Sequence, residues 1–226
     1  VMQNSKRKAL SQGLLIGAGA ACVTVLLYTT GSLEWVEAKT WDWRVRWLAK
    51  PGAATEQVCT IAVDQNALDD AEDLIGITWK WPREVYSAIL SFCKRGGAKV
   101  VAFDLVFSES SELGVDDDVR FGEAIATGPP CVVALTLKAD DDAGAESWPA
   151  DVSGPYADAT VLFAGHDRLR EDLTMPRASF PVEQVATSAT LLGNVAAIPD
   201  GDALFRRAPV GRVFDKRFVP GLGLAA

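Results

Sequence analysis

The hydrophobic pattern of the chain begins with one uninterrupted apolar segment, residues 13–31, which contains no charged residue. A helix of these 19 residues is about 28 Å long, close to the thickness of the hydrocarbon core of a bilayer. Lys6, Arg7 and Lys8 precede the segment, so the positive-inside rule keeps residues 1–12 in the cytoplasm and residues 32–226 outside the membrane. The pattern favours a retained transmembrane helix; a cleaved signal peptide and a buried core helix are the alternatives.

Beyond this segment, short apolar runs alternate with amphipathic ones. Runs rich in β-branched residues are typical of buried strands, and they lie at residues 58–64, 98–104, 131–137 and 160–165, with shorter pieces at 203–207 and 210–214. Apolar positions spaced three and four apart predict a helix from residue 82 to residue 95, and an acidic run that suits a helix N-terminus predicts another over 116–126. The alternation predicts an α/β fold, with a mainly parallel sheet and helices on both faces.

Charge and cysteine content narrow the classes of function. The 226 residues carry a formal net charge of −8, which argues against nucleic acid as a partner. The four cysteines contain no CxxC spacing and the chain has one histidine, His166, so the common zinc arrangements are absent. Buried free thiols are the favoured interpretation for Cys59, Cys93 and Cys131, and a bridge between Cys59 and Cys131 is the alternative.

Acidic residues follow two of the predicted strands. Asp64 and Asp104 each end a strand, and the carboxyl ends of neighbouring parallel strands meet at one sheet edge, where ligands bind. Oxygen ligands of this kind suit Ca²⁺ or Mg²⁺, so a metal site is predicted from Asp64, Asp104, Asp200 and Asp202. A small-ligand site is predicted from Asp64, Arg83, Asp104, Glu109 and Arg206. The favoured interpretation is a structural network in which Arg83, Arg206 and Arg207 neutralise these carboxylates, because unpaired buried carboxylates are costly, and the two binding sites are the functional alternative.

The sequence lacks the motifs of the common enzyme classes. GxSxG, GxxxxGK[ST], HExxH and GxGxxG do not occur. No catalytic activity is therefore expected of this chain, and the alternatives are a membrane-tethered hydrolase that uses Mg²⁺ at the acidic cluster and a dimerising scaffold.

Several motifs occur in a characteristic order. Asp42, Arg44 and Arg46 follow the apolar segment in a D-x-R-x-R pattern, and then come IAVD at 61–64, WKWPRE at 79–84, GAKVVAFDLVFSE at 97–109, LGN at 192–194 and PDGDALFRRAP at 199–209. This order resembles the second class of CHASE domains, the cyclase/histidine-kinase-associated sensory extracellular domains. The resemblance covers residues 32–226.

The resemblance implies a sensory domain outside the cytoplasmic membrane of a bacterium. Such domains feed adenylate or diguanylate cyclases, histidine kinases or Ser/Thr kinases, so we expect the output part to lie outside this chain and residues 32–226 to be C-terminally incomplete. Signalling of this type implies a homodimer along residues 14–48, with Asp42, Arg44 and Arg46 coupling the helix to the domain. Trp35, Trp41, Trp43 and Trp47 are typical of the membrane interface.

Overall fold

The computed structural model describes residues 2–139 and 143–226, with side chains from residue 12 onward. The described side chains therefore do not include those of most of the predicted cytoplasmic tail, among them Lys6, Arg7 and Lys8. The chain divides into two units, one that ends at Asp64 and one that begins at Gln65.

The N-terminal unit consists of two helices, α1 (Met2–Thr29) and α2 (Ser32–Leu48), followed by a 3₁₀ turn at Thr55–Gln57. Within the described residues, one stretch, Gln12–Thr29, is long and apolar enough to cross a membrane, with a mean hydropathy of 1.6 and none of it buried. The predicted helix over 13–31 ends two residues early because Gly31 adopts a φ of 69°, the left-handed conformation that glycine tolerates best and that helices do not contain.

The C-terminal unit contains short strands and helices. Its helices are α3 (Gln65–Ile75), α4 (Arg83–Arg95), α5 (Val115–Thr127), α6 (Ala159–Leu162), α7 (Asp167–Leu173), α8 (Glu183–Ser188) and α9 (Leu222–Ala225). Its strands are β1 (Val101–Phe103), β2 (Cys131–Lys138), β3 (Ala157–Asp158), β4 (Arg177–Ser179), β5 (Leu191–Asn194), β6 (Gly211–Phe214) and β7 (Arg217–Pro220).

Strand β2 is the centre of the larger sheet. Its first half pairs in parallel with β1 and with β5, with Val133 opposite both Phe103 and Leu192. Its second half pairs with β4 in the antiparallel sense, and β3, β7 and β6 form a separate antiparallel sheet. The predicted parallel pairing is confirmed around β2, whereas the remaining strands are antiparallel. Residues 131–135 are fully buried, which explains their continuous apolar run.

An aromatic cluster fixes the helices against the larger sheet. Tyr86 of α4, Phe103 of β1, Phe107 of the following loop and Phe121 of α5 have ring centroids 5.1–6.2 Å apart. Most pairs meet edge to face, the arrangement that the ring quadrupole favours. Helix α5 packs against both α4 and α8, and α9 packs against β5 and β2. Helices on both faces of the sheet remain a prediction.

Three predicted strands are wrong. Residues 58–64 and 203–207 form no strand, because a strand needs a hydrogen-bonded neighbour and composition alone supplies none. Residues 160–165 include part of α6 instead. The carboxylate of Asp158 accepts a hydrogen bond from the backbone N–H of Thr160 at 2.7 Å and caps that helix, a local signal that overrides the β-branched composition. Helix α3 was not predicted.

The four cysteines are free thiols. Cys131 is buried, Cys93 is half-buried and Cys59 is exposed. The expectation of free thiols is therefore confirmed, whereas burial is correct for Cys131 and wrong for Cys59.

Candidate functional site

Two segments of the C-terminal unit enclose a groove of about 420 Å³. One comprises residues 76–83, immediately before and at the start of α4, and the other comprises residues 105–113, between β1 and α5, with Tyr86 completing the lining. Small-molecule sites are commonly concave cavities of about 300–1,000 Å³, so this groove has the size of a ligand site. The motifs at 79–84 and 97–109 supply much of both walls.

Arg83 joins the two walls. It is the first residue of α4, and its side chain is 10% exposed. Its Nε donates a hydrogen bond to a carboxylate oxygen of Asp118 at 2.8 Å, and its Nη2 donates to the backbone carbonyl of Glu109 at 2.6 Å. The guanidinium carbon lies 4.7 Å from the centroid of the Phe107 ring, which adds a cation–π contact. The role of Arg83 is therefore structural, because its hydrogen bonds connect the start of α4 to the segment that forms the other wall of the groove.

Asp117 and Asp118 lie at the N-terminus of α5 and are each 1% exposed. A carboxylate oxygen of Asp117 accepts hydrogen bonds from the backbone N–H of Arg83 at 2.8 Å and from the hydroxyl of Ser111 at 2.5 Å. The backbone N–H of Ser111 donates to Asp118 at 2.9 Å. No side chain caps α5, so these carboxylates hold the second wall of the groove in place and do not cap the helix.

Lys80 and Glu109 form an ion pair across the groove. Their side chains are 55% and 74% exposed, and both residues line the cavity. The Lys80 ammonium donates a hydrogen bond to the Glu109 carboxylate, and this bond, together with the attraction between the two charges, lowers the pKa of Glu109 below its ordinary value. Glu109 is therefore ionised at neutral pH.

The apolar lining of the groove includes two tryptophans. The rings of Trp79 and Trp81 lie 6.3 Å apart at 63°, and Leu105 and Leu113 contribute aliphatic surface. Trp79 is 52% and Leu113 is 63% exposed. The indole Nε1–H of Trp81 is buried and donates to no acceptor among the residues that the structure describes, which is unusual for a buried donor.

The late loop forms a separate arrangement. The Arg206 side chain is 7% exposed, and its Nη1 donates hydrogen bonds to Asp200 at 3.0 Å and to Asp202 at 2.7 Å. Its Nη2 donates to the second oxygen of Asp202 at 2.8 Å. This is the carboxylate–arginine pairing that the sequence offered as the alternative to a ligand site. Among the described side chains, no group of three or more His, Cys, Asp or Glu residues could hold a metal ion.

The remaining predicted site residues lie elsewhere. Asp104 follows β1 and is exposed, and Asp64 is the exposed last residue of the N-terminal unit. On α2, the Nε of Arg44 donates to the carbonyl of Thr40 at 3.2 Å, Arg46 is exposed and Asp42 is half-buried. The coupling role of these α2 residues stays a prediction.

Of the predicted ligand residues, the structure brings together Arg83 and Glu109. It adds Lys80, Trp81 and Asp118, which sequence reasoning did not select. Lys80 and Trp81 stand inside the WKWPRE motif, so that motif was the available signal, but their convergence with residues 105–113 depends on the fold.

Comparison with known proteins identifies the family of the chain. A family model described as the CHASE2 domain matches residues 19–226, a range that includes both walls of the groove. No curated protein and no solved structure matches the chain. The chain belongs to the CHASE2 domain family, a family of sensory extracellular domains.

Proposed function

We propose that this chain is the ligand-input part of a bacterial membrane receptor and that the groove between residues 76–83 and 105–113 is its ligand site. The observation that carries the proposal is the convergence of two family motifs on one cavity. Arg83 donates hydrogen bonds to Asp118 and to the backbone carbonyl of Glu109, and these bonds hold the walls in shape while the side chains of Lys80 and Glu109 stay exposed. A preformed cavity of this kind lowers the cost of binding.

Anchorage in the cytoplasmic membrane by α1 is the second part of the proposal. The stretch Gln12–Thr29 has the length and hydropathy of a span and is preceded by basic residues. This arrangement favours a cytoplasmic N-terminus and an extracytoplasmic C-terminal unit.

A topology experiment tests the anchorage. Alkaline phosphatase, which is active only outside the cytoplasm, is fused after Ala226, and green fluorescent protein is fused there in a parallel chain. We expect phosphatase activity, a non-fluorescent partner fusion and retention in carbonate-washed membranes. A fluorescent, phosphatase-inactive fusion would refute the proposed orientation, and release into the periplasm would refute a retained anchor.

Signal transfer is proposed to run through a homodimer along residues 14–48, with Asp42, Arg44 and Arg46 coupling α2 to the C-terminal unit. None of the residues of α2 is buried in the single chain, so its surface is free of intramolecular core contacts. Single cysteines placed along α2, in a chain whose native cysteines are replaced by serine, should cross-link under oxidation with a period of three to four residues. Absence of cross-linking at every position would exclude this dimer.

The output is proposed to be a nucleotide cyclase or a protein kinase. In a receptor that carries this domain, Arg83→Met should abolish the response of the output enzyme while leaving its basal activity in place, because the groove loses its shape and the output domain is untouched.

A further inference from the structure

The charges at the groove are arranged as a matched pair of opposite sign. The Lys80 ammonium and the Glu109 carboxylate face each other and are both largely exposed. An exposed ion pair of this kind contributes little to stability, because water screens it and two side chains must be ordered. Each member can therefore exchange its partner for a ligand group at little cost, and a ligand that carries both charges replaces the pair without leaving either charge unmatched.

The lining of the groove also has an apolar part. Trp79, Leu105 and Leu113 line the same cavity, and the exposed fractions of Trp79 and Leu113 are large. Covering apolar surface of this kind with an apolar ligand group is favourable, because both surfaces are removed from water. A ligand with a charged end alone would leave these walls in water.

We propose that the groove binds a free amino acid with an aliphatic or aromatic side chain. The carboxylate of the ligand pairs with Lys80, its ammonium pairs with Glu109, and its side chain packs against the apolar part of the groove lining. This inference rests on the proposed function and names the ligand class of the same groove.

Calorimetric titration of the full chain in detergent tests the inference, with L-phenylalanine and L-leucine as the probes. Two analogues each lack one charge: 3-phenylpropanoate has no ammonium, and 2-phenylethylamine has no carboxylate. We expect saturable binding of at least one amino acid with a Kd at or below about 1 mM, and at least tenfold weaker binding of each analogue.

Variants locate the binding in the groove. Lys80→Gln and Glu109→Gln should each weaken amino-acid binding at least tenfold, and neither change touches the bond from Arg83 to the backbone carbonyl of Glu109. The matched controls Lys99→Gln and Glu123→Gln lie at exposed positions outside the groove and should bind as the parent chain does. Thermal unfolding of each variant verifies that it is folded.

The outcomes are distinct from those of the topology experiment. Failure of both amino acids to bind, binding of an analogue as tightly as the amino acid, or unchanged binding by folded Lys80→Gln and Glu109→Gln would each overturn the inference while leaving the anchored, extracytoplasmic domain in place. Binding with the expected pattern would support the inference whatever the orientation in the membrane.

Discussion

Replacement of Arg83 by methionine tests whether the bonds that this residue of α4 makes to Asp118 of α5 and to the loop between β1 and α5 stabilise the C-terminal unit. Arg83→Met keeps a long side chain but deletes the bonds to Asp118 and to the carbonyl of Glu109. Asp118 is 1% exposed and keeps one donor, the backbone N–H of Ser111. Removal of one partner of a buried ion pair costs about 3–5 kcal/mol, because the other charge stays buried without compensation. We expect a loss of this size in the free energy of unfolding.

Urea unfolding of the full chain in detergent, followed by pulse proteolysis, measures this loss. With a denaturant slope of about 2 kcal/mol per M, the midpoint should fall by roughly 1.5–2.5 M. The matched control is Arg95→Met, at the exposed C-terminal end of the same helix, where a change within about 0.5 kcal/mol is expected.

A second substitution distinguishes lost charge compensation from lost packing. Adding Asp118→Asn to Arg83→Met removes the buried charge, so the double variant should be more stable than Arg83→Met alone, although still less stable than the parent chain. The reasoning is refuted if Arg83→Met shifts the midpoint no more than Arg95→Met does, or if the two substitutions are simply additive.

Other predictions concern packing and titration. Gly122→Ala should lose about 1–3 kcal/mol, because a Cβ would lie 2.5 Å from a backbone carbonyl oxygen of α8, whereas Gly201→Ala, with nothing within 4 Å, should match the parent in the same urea assay. Burial raises the pKa of Cys131 to about 12, so a thiol reagent should label exposed Cys59 in the folded chain and Cys131 only on unfolding; equal rates would contradict this. Burial also raises the pKa of Tyr156 from 10.0 to about 12. The absorbance of the Tyr156 tyrosinate should therefore appear near pH 12. The contribution of Tyr156 to the free energy of unfolding is fully present below about pH 10 and should be lost between about pH 10 and about pH 12, because the unfolded chain releases this proton at the lower pH. Ionisation of Tyr156 near pH 10 would contradict its burial.

The elements that the sequence predicted correctly carry strong local signals. Helix α4 has both a proline before its first turn and an apolar face that packs through Tyr86 and Leu90, so spacing and composition agree. Strand β2 is an unbroken apolar run, which a central strand requires. The run at 58–64 has the composition of a strand but forms none in the structure, because composition does not specify pairing.

The acidic run at 116–118 fits two structural roles, a favourable interaction with the helix dipole and bonding to partners outside the helix. Carboxylates at a helix N-terminus are favoured by the helix dipole, and this local argument explains the run without any further partner. The structure shows that Asp117 and Asp118 are buried and bonded to Arg83 and Ser111. Arg83 is distant in sequence from both carboxylates, and neither periodicity nor capping rules indicate the bonds to it or to the nearer Ser111.

The sequence by itself determined the apolar segment with its basic flank, helices α4 and α5 and strand β2, because each depends on residues close together in the chain. The order of motifs along the chain indicated the CHASE2 domain. Only the tertiary structure decided which charged residues pair with one another. Lys80 forms an ion pair with Glu109, and Arg83 forms one with Asp118. Arg206 forms ion pairs with Asp200 and Asp202. Charged side chains of either sign can serve as ligand groups or as partners for one another. Which role each plays depends on the neighbours that packing brings within hydrogen-bonding distance. A buried charge such as that of Asp118 requires its partner, whereas the exposed pair of Lys80 and Glu109 can be exchanged.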